Sequence, residues 1–151
     1  MEYIQGIKNW IGNCPDLLVG AHVLVINEKG QLLLQKGAKG TWGLPGGLLK
    51  RGETLEDTAR RQVFAQTGLV IGELRLVRVF SGEKYPAANE SEKYIVATVY
   101  LTRDIQENVK SDGVEFKEIS YFDFQELPEG IDLRFQDVIQ EFKEQMLCVG
   151  V

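Results

Sequence analysis

The residues with the most chemical potential lie between Lys36 and Arg61. Gly37, Gly40, Gly43, Gly46, Gly47 and Gly52 crowd around Pro45, a density that suits neither a helix nor a regular strand and predicts a loop built for its backbone shape. Glu53 and Arg61 follow it; opposite charges at this spacing can tie the loop to a helix, a reading that outranks a direct catalytic role. The loop segment Gly37-Ala38-Lys39-Gly40-Thr41 carries a lysine among glycines, but it lacks the G-x-x-x-x-G-K-[ST] order of a phosphate-cradling loop. His22 is the single histidine and sits in an apolar run with no serine or cysteine close in sequence. That argues against a catalytic triad and reads as a packed or hydrogen-bonded strand residue. Glu90, Glu92, Glu115 and Glu118 read first as solvated charges.

The elements that must position these residues follow from periodicity. Ile4, Ile7, Trp10 and Ile11 recur at helical spacing until Gly12-Asn13-Cys14-Pro15 stops them, which predicts a short N-terminal helix. Leu17 to Ile26 is apolar on both alternating faces and predicts a central strand covered on both sides. Asn27-Glu28-Lys29-Gly30 offers a turn, after which Gln31 to Gln35 is expected to return beside the first strand as a hairpin. Thr54 to Thr67 reads as a helix: Thr54 caps it, Leu55, Ala59 and Val63 form the apolar stripe, and Gly68 closes it. Positions 62, 65 and 66 share a face turned away from much of that stripe. Strands are expected at Leu74 to Phe80, Tyr94 to Thr102 and Phe116 to Phe124, with a surface loop around Pro86-Ala87-Ala88-Asn89. A final helix from about Leu133 to Met146 should turn Phe135, Val138, Ile139 and Phe142 inward. Strands interleaved with helices favour an α/β or α+β layer architecture with a sheet covered on two faces.

Composition bounds the partners. The 151 residues form one domain of ordinary size, with 22 acidic against 17 basic residues and a formal charge of −5. No stripe of Lys and Arg could track a nucleic-acid backbone. The only cysteines, Cys14 and Cys148, are far apart and flank no metal-ligand pattern, which suits two free thiols in a reducing, cytoplasmic compartment. No run approaches the roughly 20 apolar residues that span a bilayer, so a membrane partner is not expected. Apolar strands and the Ile7, Trp10 and Ile11 surface are compatible with a monomer or a homodimer.

Gly47-Leu48-Leu49-Lys50-Arg51-Gly52-Glu53 and, after seven residues, Arg61-Gln62-Val63-Phe64-Ala65-Gln66-Thr67-Gly68-Leu69 resemble the box of the Nudix hydrolase family, which is MutT-like. The family pattern is G-x5-E-x7-R-E-U-x-E-E-x-G-U, with U aliphatic. Gly47, Glu53, Arg61, Val63, Gly68 and Leu69 fit it in register, and Trp42-Gly43-Leu44-Pro45-Gly46-Gly47 looks like the approach to it. The resemblance covers most of the chain. It implies a Nudix fold, an α/β/α sandwich with a mixed central sheet, in one domain over residues 1–151. It also implies a pyrophosphohydrolase of nucleoside diphosphate derivatives, such as ADP-ribose-like compounds or nucleoside triphosphates, that uses Mg²⁺ or Mn²⁺.

Carried over residue by residue, the resemblance implies catalytic roles around Glu53 and Arg61, with Glu115 or Glu118 as an outside general base. Trp42, Gly46, Gly47 and Tyr85 would meet the substrate, with Phe80 and Tyr94 near a base. Metal positions would be Gly47, Glu53, Gln62 and Gln66, helped by the Gly46 or Gly47 carbonyl. The family's three helix glutamates are here Gln62, Ala65 and Gln66. An amide offers a hard cation a carbonyl oxygen without charge, and alanine offers nothing. Gly37 stands where many relatives have arginine. Impaired hydrolysis is therefore expected, the alternative being a non-catalytic protein that binds a nucleotide or a partner through the inherited cleft.

Overall fold

The computed structural model describes residues 16–37, 39–84, 93–109 and 118–149. The expected N-terminal helix, the loop around Pro86 and the sites Tyr85, Glu90, Glu92 and Glu115 lie outside the described residues.

Strand β1 (Asp16–Val25) is the axis of the fold. It runs parallel to β7 (Lys93–Thr102) in unbroken register from Asp16↔Lys93 to Val25↔Thr102. On its other edge it is antiparallel to the short β4 (Gly46–Leu48). β6 (Arg75–Lys84) adds antiparallel to β7, giving a mixed sheet of order β4-β1-β7-β6. A second sheet has the order β3-β2-β9, from β3 (Trp42–Gly43), β2 (Leu32–Lys36) and β9 (Glu118–Phe122). β5 (Leu69–Ile71) and β8 (Ile105–Asn108) pair as a small ribbon.

Alternation along β1 builds the layers. Leu24 and Ile26 join a core with Phe135, Val138, Ile139 and Phe142 of α2 (Leu133–Val149). Ala21, Val23 and Val25 point the other way, to Ala59 and Val63 of α1 (Leu55–Thr67). Neighbouring strand residues face opposite sides of a sheet, so one apolar run supplies both cores and the helices cover both faces. This is the expected layered architecture with a mixed central sheet.

Two local expectations are corrected. The turn forms as predicted, with Asn27 Oδ1 accepting from Lys29 N at 3.1 Å and Gln31 N at 2.8 Å and Gly30 at φ 75°. The strand after it, however, meets the first only at the Ile26↔Leu32 bridge and then departs to pair with β3 and β9. β7 takes one edge of β1, and β4 with its flanking Pro45 and Leu49 takes the other from Val19 to Val23, so only the end near Ile26 is left to the returning strand. The glycine-rich segment also contains strands, β3 and β4, because its glycines allow close approach: a Cβ on Gly46 would collide with the Ala21 carbonyl and lie 2.6 Å from His22 Cα. Among the described residues, no helix is long and apolar enough to cross a membrane.

Candidate active site

Helix α1 is set by its ends. Thr54 Oγ1 accepts from Asp57 N at 3.1 Å, and Gly68 closes the helix at φ 77° with its N–H on Phe64 O. Behind it, Glu53 and Arg61 form the tie expected from their charges. Arg61 Nε donates to Glu53 Oε2 at 2.6 Å and Nη2 to Oε1 at 2.9 Å, while Nη2 also reaches the Leu48 carbonyl at 3.1 Å. Glu53 Oε1 accepts further bonds from Lys50 N at 2.9 Å and Thr58 Oγ1 at 3.1 Å. With five short contacts this unit locks the loop to the helix. The Arg61 hydrogen bond, then the Lys50 N–H, holds the Glu53 carboxyl near a pKa of about 2, and Glu53 in turn raises that of Arg61.

The face bearing positions 62, 65 and 66 turns toward the same loop. Gln66 is only 8% exposed and uses its whole carboxamide. Its Nε2 donates to Gly46 O at 2.8 Å and to Gln62 Oε1 at 3.2 Å; its Oε1 accepts from Gly46 N at 3.0 Å and from Gln35 Nε2 at 2.8 Å. Gly46 presents both an N–H and a C=O, so the Gln66 amide has one satisfying orientation. That orientation directs Gln35 Nε2 inward and leaves the buried Gln35 Oε1 without a hydrogen-bond partner among the described residues. Gln62 Nε2 approaches Leu48 O at 3.3 Å and lies over Gly47. Ala65 is exposed.

Beside this network, a cavity of about 260 Å³ is lined by His22, Gln35, Trp42, Asp132, Arg134 and Phe135, among others, together with Gly46 and Gly47. Trp42 is anchored edge-on against Phe122 at 5.0 Å, and its backbone bonds Gly130 and Asp132. Asp132 Oδ1 caps the start of α2 by accepting from Arg134 N at 3.0 Å, and its carboxylate holds the Arg134 guanidinium at 3.0–3.3 Å. Burial pushes the Asp132 carboxyl up, but the Arg134 bonds outweigh it and leave the pKa lowered. Arg134 lies 5.2 Å from the Phe135 ring. Phe135 meets His22 edge-on at 4.8 Å. Burial and then the Arg134 charge lower the His22 pKa to about 4, so the imidazole is neutral near pH 7. Its Nδ1 is buried and has no hydrogen-bond partner among the described residues.

The predicted residues therefore fall in separate places. Trp42, Gly46 and Gly47 border the cavity; Gln62 and Gln66 bind the loop backbone; Glu53 and Arg61 form the clamp behind it. Glu118 stands on β9 opposite Lys36 and, with Trp42, Ile119, Ser120 and Phe122, borders a different concavity. Phe80 packs against the core beside Phe135 at 6.5 Å. Gln35, Asp132 and Arg134 are cavity residues that sequence reasoning missed. Asp132 immediately before a helical pattern is a capping signal that could have found one of them.

A divalent cation needs oxygen donors with charge to spare. Among the described residues no group of three His, Cys, Asp or Glu could hold one. The Gly46 carbonyl is taken by Gln66, and the Leu48 carbonyl by Arg61 and Gln62. Among the described residues, the donors at this helix face do not fit a Mg²⁺ or Mn²⁺ site.

The NUDIX domain family model matches residues 16–142. The chain belongs to this family. An ADP-ribose pyrophosphatase of Methanocaldococcus jannaschii is 29% identical over 108 residues, which cover 69% of this chain and 61% of that protein. A putative 8-oxo-dGTP diphosphatase of Bacillus subtilis is 44% identical over 50 residues, 32% of this chain and 34% of that one. The chain thus spans about three fifths of the length of the first relative and a third of the second. Among solved structures, a MutT protein of Methanosarcina mazei Go1 superposes with a TM-score of 0.69 at 25% identity, covering 87% of this chain and 96% of that one. A MutT Nudix hydrolase of Burkholderia pseudomallei gives 0.69 at 23% identity, covering 83% and 97%.

Proposed function

We propose that this protein binds a small nucleotide derivative in the cavity between the glycine-rich loop and the start of α2, and that its hydrolysis of phosphoanhydride bonds is impaired. The observation that carries the reading is the Gln35–Gln66–Gly46–Gln62 network, in which neutral amides saturate the backbone groups that face the box helix. Members of the family work on small nucleotide derivatives with divalent metals, and the names of the relatives, ADP-ribose pyrophosphatase and 8-oxo-dGTP diphosphatase, give the ligand class to try first. Trp42 and Phe135 supply flat apolar walls and Asp132 a carboxylate for a base or ribose. Gly46 and Gly47 border the cavity.

The experiment is titration calorimetry with ADP-ribose and nucleoside di- and triphosphates, with EDTA and with Mg²⁺ or Mn²⁺, beside a phosphate-release assay on the same compounds. The expected result is binding that does not require the cation, with turnover far below about one per second. Cation-dependent turnover at or above that rate, or no binding across the panel, overturns the reading.

A further inference from the structure

The Gly46 carbonyl is turned toward helix α1, away from the β1 edge that the rest of β4 pairs with, and an oxygen so placed needs an electropositive partner. Gly46 is paired with His22 of β1, and a Cβ there would collide with the Ala21 carbonyl and His22. The partner is the Gln66 Nε2–H at 2.8 Å, and the same carboxamide returns Oε1 to the Gly46 N–H at 3.0 Å. One side chain thus pairs both backbone groups of a single residue, as a neighbouring strand would.

We infer that the Gln66 carboxamide holds this loop without a cation, and that a carboxylate at position 66 would make the resting site respond to divalent cations. The inference rests on the metal-free site of the proposed function and extends it. With glutamine, two N–H groups cover the Gly46 carbonyl and Gln62 Oε1, and Gln35 completes the ring of bonds, so the loop is held with no net charge. With glutamate at 66, an anionic oxygen would face those same two acceptor oxygens. Such an arrangement is relieved only by a cation or a proton. The neutral network therefore makes loop geometry independent of cation concentration, and a one-residue change makes it dependent.

The test is thermal unfolding of the full chain and of Gln66→Glu without nucleotide, in EDTA and in millimolar Mg²⁺ or Mn²⁺. The wild-type Tm should not move with cation. That of Gln66→Glu should fall by about 5 °C in EDTA, from the loss of a buried bond and the new repulsion, and recover with Mn²⁺. A Gln66→Met control should fall similarly and not recover. Cation stabilisation of the wild type, or a Gln66→Glu protein that cation does not rescue, overturns the inference. Should Gln66→Glu not fold, Mn²⁺ titration of the wild type by NMR decides: unbroadened Gly46 and Gln66 amide signals support the inference and selective broadening refutes it. Because no nucleotide is present, these outcomes are separate from those of the binding panel. Metal-dependent turnover brought about by substrate would defeat the proposed function while the resting protein still ignored cation.

Discussion

Acidification should unfold this protein in two stages, and the first belongs to His22. The ring is buried, packs edge-on to Phe135 and lies under the Arg134 charge, so its pKa falls from 6.5 to about 4. The folded state therefore binds the proton more weakly than the unfolded state does. Stability is fully present above pH 6.5 and is lost as pH falls from 6.5 toward 4. At 1.36 kcal/mol per tenfold difference in affinity, the gap between these pKa values corresponds to roughly 3 kcal/mol when complete, about 2 kcal/mol of it by pH 5. For a chain of this size that lowers a urea midpoint by on the order of 1 M.

The assay is equilibrium urea unfolding at pH 7.5, 6, 5 and 4, for the wild type and for His22→Phe, which keeps a ring against Phe135 and has no proton to gain. The variant carries an offset from repacking, but the slope with pH is the readout and should be nearly flat between pH 6.5 and 5. An unchanged wild-type midpoint between pH 7.5 and 5, or equal slopes in both proteins, refutes the buried neutral histidine.

The second stage should come chiefly from Glu53, whose pKa is depressed from 4.5 to about 2 by Arg61 and the Lys50 N–H: its contribution is present above pH 4.5 and disappears as pH falls toward 2, and in the same unfolding series Glu53→Gln should shrink this lower step, to which the lowered Asp132 carboxyl also contributes, while leaving the upper one. Gly46→Ala should cost roughly 3 kcal/mol or more in thermal melts, since its Cβ meets backbone at a φ only glycine favours; Gly52→Ala, also at positive φ but with nothing within 4 Å of its Cβ, should cost only about 1 kcal/mol, and equal losses would remove the argument from close approach.

The box helix, its caps and the Glu53–Arg61 tie were legible because they depend on residues within 15 positions of one another. Thr54, Gly68 and the Leu55-Ala59-Val63 stripe are local signals. The course of β2 was not legible: Gln31 to Gln35 reads as a hairpin arm, and only the parallel pairing of β1 with β7, from the far end of the chain, with β4 on the other edge, excludes it from that sheet. The glycine-rich segment hid two short strands because a strand of two or three residues has no period to detect.

The site divides the same way. The sequence by itself determined the family, the order of layers, and the presence of two amides and an alanine where carboxylates would give the helix face its charge. That follows from residue types at fixed spacing on one helix. Only the tertiary structure decided what those amides do. Gln66 is joined to Gln35 and Gly46 across 31 and 20 residues of chain, and His22 is brought under Arg134 and Phe135 from the other end of the protein. Hydrogen-bond orientation and desolvation depend on every atom within a few ångströms, and chain folding, not sequence proximity, chooses those atoms.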